Sequence, residues 1–134
     1  MIKGKILVVE ENPQNMRVFE LILGGNGYNV LKATNSEEAL DVAMRKQPDV
    51  ILMDMQLPKL NGLKVTRKLR ENPTFSNTII LGLTAYATRG ARKRIIESGY
   101  DACLPKPINT RELPHVIAVI VEMLSRRQKV RLSS

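Results

Sequence analysis

Short apolar runs alternate along this chain with longer segments in which apolar residues return every three or four positions. Ile6–Val9, Val50–Met53 and Thr78–Leu83 are nearly continuous apolar runs, partly β-branched, which predicts strands buried on both faces. Asn29–Lys32 and Asp101–Leu104 read as two shorter strands. Five helical patterns lie between and after them. The first follows Asn12-Pro13, an N-cap with proline at the first helical position, and carries Met16, Phe19, Leu21, Ile22 and Leu23 until Gly24, Gly25 and Gly27 stop it. Two glycines in a last turn each cost about 1 kcal/mol relative to alanine, so a loose end is expected there. The second is capped by Asn35 or Ser36, has Glu37 and Glu38 in its first turn, buries Ala39, Leu40, Val42 and Ala43, and ends by Pro48. The third uses Leu63, Val65 and Leu69 and stops before Pro73. The fourth spans about Thr88 to Glu97 with Ile95 and Ile96, closed by Gly99. The fifth, capped by Thr110, runs to about Ser125 on Leu113, Val116, Ile117, Ile120, Val121 and Leu124. Val119 and Met123 widen that stripe, which reads as core, with a homodimer surface as the alternative.

Strands and helices in strict alternation on short connections predict an α/β fold: a doubly wound, five-stranded parallel sheet with helices on both faces. One domain is expected over residues 1–126, followed by a basic tail, 127–134, that frays.

Composition narrows what such a domain does. The 134 residues contain a single cysteine, Cys103, which allows no internal disulfide and suits a reducing compartment. The opening apolar run is too short for a signal-peptide core, and no stretch reaches a bilayer span, so a cytoplasmic protein is expected, without membrane contact. The net charge of +8 gathers at Lys64, Arg67, Lys68 and Arg70, at Arg89, Arg92, Lys93 and Arg94, and at Arg126, Arg127, Lys129 and Arg131. With three Tyr and two Phe, none interleaved with these runs, they read as solvated helix faces. An acidic protein partner is the alternative, ahead of nucleic acid.

The chemistry concentrates where strands end. Val50–Gly62, VILMDMQLPKLNG, is an apolar run that stops at Asp54 and breaks into a Pro and Asn-Gly loop; Ile6–Val9 stops in the same way at Glu10 and Glu11. In an open parallel sheet that carboxyl edge is where ligands sit. Thr84 follows the fourth strand and Lys106 the fifth. Three carboxylates brought together repel unless a cation intervenes, and Mg²⁺, which takes oxygen ligands, answers that need. One carboxylate can then attack phosphorus, with Lys106 and the Thr84 hydroxyl on the phosphoryl oxygens.

These residues carry a resemblance. The acid pair of VVEEN, the aspartate of DMQLPKLNG, the LTA around Thr84 and the PKPI around Lys106 together resemble a response-regulator receiver domain over about Lys5 to Leu124. The wording MDMQLP and TAYA is most similar to stand-alone receivers of the DivK type and to receivers of hybrid histidine kinases. The resemblance implies the flavodoxin-like strand order 2-1-3-4-5, a cis Lys106-Pro107 bond, and Asp54 as acceptor of a phosphoryl group from a histidine kinase or phosphotransfer protein. It implies Mg²⁺ on Glu11, Asp54 and the backbone carbonyl of Gln56, with Glu10 acting through water. Lys106 and Thr84 would answer the phosphoryl group, and the side chains of Gln56 and Tyr86 would tune its loss. It further implies a signalling switch rather than an enzyme, docking an output partner through the fourth helix, fifth strand and fifth helix.

Two positions depart from the pattern. Glu11 stands where the family has Asp, and its extra methylene changes the reach by about 1.5 Å. Cys103 stands where the family has an aromatic that swings inward, with Tyr86 as a candidate replacement. A second reading follows from them, a pseudo-receiver that binds partners without phosphorylation.

Overall fold

The computed structural model describes residues 4–55, 62–85 and 88–133, with side chains as far as Met123. Its strands are β1 (Lys5–Val9), β2 (Asn29–Ala33), β3 (Val50–Asp54), β4 (Ile79–Thr84) and β5 (Ala102–Pro105). They pair in parallel in the order β2-β1-β3-β4-β5. The helices are α1 (Pro13–Gly25), α2 (Ser36–Lys46), α3 (Gly62–Arg70), α4 (Arg89–Glu97) and α5 (Leu113–Ser133), with a 3-10 turn, Pro73–Phe75, before β4. No described helix is long and apolar enough to cross a membrane.

Strand residues alternate faces, so each strand feeds two cores. Leu7, Val9, Ile51, Met53 and Ile80 meet Ala39, Val42 and Ala43 of α2, Val65 and Leu69 of α3, and Ile95 of α4. Ile6, Val8, Val50, Leu52, Leu81 and Leu83 meet Met16, Phe19 and Leu23 of α1 and Leu113 and Ile117 of α5. Continuous apolar runs are the signature of strands covered on both sides, and β3 is buried at all five positions.

Caps set the helix starts. The Asn12 side chain accepts from the N–H groups of Gln14 (2.8 Å) and Asn15 (3.1 Å), and Asn35, rather than Ser36, accepts from Glu38 N–H at 2.8 Å. Thr88 caps α4 through Ala91 N–H at 3.2 Å. The fifth helix corrects the expectation of a Thr110 cap. Asn109 takes the N–H groups of Arg111 (3.0 Å) and Glu112 (3.3 Å), and the helix proper waits until Leu113, because Pro114 lacks an N–H and belongs in a first turn. It also continues to Ser133 rather than stopping near Ser125, since no Gly or Pro interrupts the chain after Pro114. Leu21 is a further correction. The buried stripe of α1 is Met16, Phe19 and Leu23, and Leu21 lies off it at 65% exposed.

At the far end of α3 one side chain ties several elements together. Arg70 donates from Nε to Gly99 O (2.9 Å), from Nη1 to Phe75 O and Thr78 O (both 2.8 Å), and from Nη2 to Asp101 Oδ2 (2.8 Å). Asp101 Oδ2 also accepts from Ile80 N–H at 2.8 Å, so the end of α3, the start of β4 and the entry to β5 share one polar joint.

Inside the α2–α4 side lies Tyr100, whose phenol is pushed by burial from 10.0 up to about 12. The folded protein therefore holds that proton more tightly than the unfolded chain does. The associated stability is complete below pH 10 and is lost as pH rises toward 12, a decline of about 2–3 kcal/mol for a two-unit shift. Urea unfolding across that window should show a steep fall in the wild type and a shallower one in Tyr100→Phe; parallel slopes would contradict it.

Candidate functional site

The site forms because the register of the sheet sets three strand ends side by side. Val9 pairs with Met53 and Asp54 pairs with Leu83, so Glu10, the residue after β1, emerges beside the end of β3. Glu10 N–H donates to Ala33 O at 3.0 Å, which fixes its backbone, and its Oε1 accepts from the Asn12 N–H at 3.1 Å. Asp54 and Glu10 share the parity of Leu52 and Val8, so both belong to the α1 and α5 side. Thr84 closes β4, and its carbonyl accepts from Lys106 N–H at 2.9 Å. That bond carries the chain over the edge, so that Lys106 Nζ donates to Asp54 Oδ2 at 2.6 Å. The Lys106-Pro107 peptide is cis.

Burial makes this cluster electrostatically consequential. Glu10 and Asp54 are each 2% exposed. Burial holds the Glu10 carboxyl above the usual carboxylate value; the Asn12 N–H opposes the rise, Asp54 adds to it, and Lys106 opposes it. Among the described residues the Lys106 ammonium meets this buried carboxylate pair, and a hard divalent cation would add positive charge to it. Glu10 and Asp54 fit such an ion. The cleft that reaches them has a volume of about 450 Å³ and is otherwise walled mainly by apolar side chains, among them Val18, Phe19, Leu83 and Ile108.

The expected meeting of three carboxylates is corrected. Among the described residues no three His, Cys, Asp or Glu side chains gather in a way that could hold a metal ion. Glu10 lies beside Asp54 and also borders the neighbouring cleft, which Glu11 shares with Arg17, Lys32 and Glu38. Of the two acids, Glu10 lines the cleft that holds Asp54. Gln56 and Tyr86, as well as the loop 57–61, lie outside the described residues. Cys103 pairs in register with Gly82 and packs half-buried against the α2–α4 side; burial pushes its thiol up and Arg92 pulls it back.

Sequence reasoning named Glu10, Asp54, Thr84 and Lys106, and the structure sets them along one edge. It missed Asn12 as the residue holding Glu10 and the α1 side chains that wall the cleft. The helix cap was visible in the sequence, but its contact with the preceding acid was not.

The family model described as response regulator receiver domain matches residues 6–118. The polar-differentiation response regulator DivK of Brucella anthropi is 36% identical over 119 residues, covering 89% of this chain and 94% of that protein. Among solved structures, the receiver domain of the sensor histidine kinase PA1611 of Pseudomonas aeruginosa is 34% identical with a TM-score of 0.78, over 89% of this chain and 98% of that one. It is described with a magnesium ion coordinated in its active-site cleft. The chemotaxis response regulator CheY4 of Vibrio cholerae is 25% identical with a TM-score of 0.83, over 90% of this chain and 99% of that one.

Proposed function

Because the chain belongs to the response-regulator receiver domains of two-component signalling, we propose that it is a phosphorylation-dependent switch with Asp54 as acceptor. The observation that carries this reading is the buried Asp54 held at 2.6 Å by Lys106 with Glu10 beside it, at the carboxyl edge of the sheet. Receivers are signalling modules rather than classical enzymes, so the reaction proposed is a transfer to the protein itself. An Asp54 carboxylate oxygen forms a bond to phosphorus as the bond from phosphorus to the donor's imidazole nitrogen breaks, and the imidazole leaves with a proton. Water later cleaves the acyl phosphate. Lys106 holds the carboxylate in place and then faces a phosphoryl oxygen, while Thr84 lies on the same edge to answer another. Glu10 and Asp54 would hold Mg²⁺, which when bound neutralises phosphoryl oxygens. Glu11, the residue after Glu10, and the carbonyl of Gln56 complete the proposed ligand set.

The donor in this reading is a histidine kinase or phosphotransfer protein in the cytoplasm. Output passes by docking on the α4, β5 and α5 side, where Ile96, Val119 and Met123 are 47%, 40% and 60% exposed.

Intact mass after incubation with Mg²⁺ and acetyl phosphate tests the reading. One phosphoryl adduct is expected on the wild type, none on Asp54→Asn and none after chelation of the metal. An adduct that survives Asp54→Asn would overturn the assignment. An adduct on Glu11→Asp but none on the wild type would move the protein to phosphorylation-independent binding.

A further inference from the structure

Tyr100 enters none of the chemistry above, yet it touches the strand that carries Asp54. The residue is 2% exposed, and its hydroxyl donates to Met53 Sδ at 3.3 Å, a weak acceptor. Thr66 Oγ1, fully buried in the same core, meets no partner within hydrogen-bond geometry among the described residues, though it lies near enough to the Tyr100 hydroxyl to ease its loss of a proton. Two glycines make room for the ring. A Cβ added at Gly62, the first residue of α3, would stand 2.6 Å from the Tyr100 hydroxyl and 3.1 Å from Met53 Sδ. A Cβ added at Gly82 would stand 2.6 Å from Met55 Sδ and 3.1 Å from Tyr100 Cε1. The phenol thus spans from the backbone of β4 to the first turn of α3, with its hydroxyl on Met53 Sδ and with Met55 Sδ facing the same Gly82, these being the two residues that flank Asp54 in sequence.

We propose that Tyr100 is a positioning residue that couples the state of Asp54 to the N-terminal turn of α3; the proposal rests on Asp54 being the phosphoacceptor. Met53, Asp54 and Met55 are consecutive, so a shift of the β3 end moves both sulfurs. Close-packed interiors pass such a shift on because neighbours cannot overlap. The ring is rigid, and at Gly62 no side chain cushions the hydroxyl from the helix backbone. The other end of α3 is pinned by Arg70 to Gly99, Phe75 and Thr78, so the N-terminal turn is the end left to respond.

Methyl NMR of Met, Leu and Val, recorded with Mg²⁺ and with or without a beryllofluoride mimic of the aspartyl phosphate, tests this, with the mass assay run alongside. In the wild type the Met53 and Met55 methyls and those of Leu63 and Val65 should shift together. Tyr100→Leu should keep the adduct and the methionine shifts but lose most of the shift at Leu63 and Val65, and Tyr100→Phe, which keeps the ring but not the hydroxyl, should restore part of it. Should Tyr100→Leu not fold, Gly62→Ala takes its place: it should displace the Leu63 and Val65 methyls before any phosphodonor is added, with recovery in the Gly62→Ala/Tyr100→Phe pair. An adduct with full α3 shifts in Tyr100→Leu, or no recovery in the pair, overturns the coupling while leaving Asp54 as acceptor. Absence of any wild-type adduct removes the parent reading, and this one with it.

Discussion

Arg70→Met should lower the unfolding free energy by about 3–5 kcal/mol, the range for breaking a partly buried ion pair whose partner stays in place. The guanidinium reaches three carbonyls and one carboxylate, all between 2.8 and 2.9 Å. Methionine matches the length of the stem but leaves Gly99 O, Phe75 O and Thr78 O without that donor, at about 1–3 kcal/mol for each group that water does not reach. The side chains of Arg70 and Asp101 are 22% and 29% exposed, so solvent recovers part of the loss and the sum of four bonds is not expected. Arg70→Lys should recover only a fraction, because an ammonium cannot donate along three fixed directions. Thermal unfolding should read a drop of about 10–20 °C for the methionine variant. A loss below about 1 kcal/mol would show that water replaces the joint and that α3 is not pinned by it.

Lys106→Met should be comparably destabilising at neutral pH without divalent ions, again by about 3–5 kcal/mol. The Asp54 side chain is 3% exposed and Glu10 is 2% exposed, so removing the ammonium leaves two carboxylates that water barely reaches. The pH dependence is distinctive. Glu10 is held above its ordinary value chiefly by burial, so its ionisation costs stability as pH rises through the folded value and returns it as pH falls. The deficit of Lys106→Met should therefore shrink on mild acidification, before general acid unfolding intervenes. Removing one carboxylate as well should relieve the rest: the Lys106→Met/Asp54→Asn pair should be more stable than Lys106→Met alone. Urea unfolding of the four members of this cycle measures the coupling. A double variant no better than the single would mean that the carboxylates are not the source of the deficit.

The fold was legible because β1, β3 and β4 are apolar runs and α1 and α2 begin at recognisable caps, two signals that depend on neighbours a few residues apart. The edge residues were legible for the same reason, since Asp54, Glu10 and Lys106 each stand where an apolar run stops or a proline follows. What escaped depends on distant partners. Glu10 and Glu11 look equivalent in sequence, and only the turn of the chain after β1 decides which one meets Asp54. Arg70 counts as one more charge on a basic helix until the start of β4 and the entry to β5 arrive beside it. Its spacing of four from the buried Thr66 was the available hint that it sits at the margin of the covered stripe. Gly62 and Gly82 likewise read as turn and strand glycines, and nothing local announces the ring that needs their space.

The two-faced alternation of β3 has a consequence for timing. Asp54 opens toward a cleft walled by α1, while Met53 and Met55 on either side press into the opposite core beneath α3. Under the readings proposed above, a donor seated at the cleft and the α3 turn that answers Asp54 lie on opposite sides of the sheet, so the donor leaves that turn uncovered. That turn can then respond while the donor is still in place, so the response need not wait for the visitor to depart.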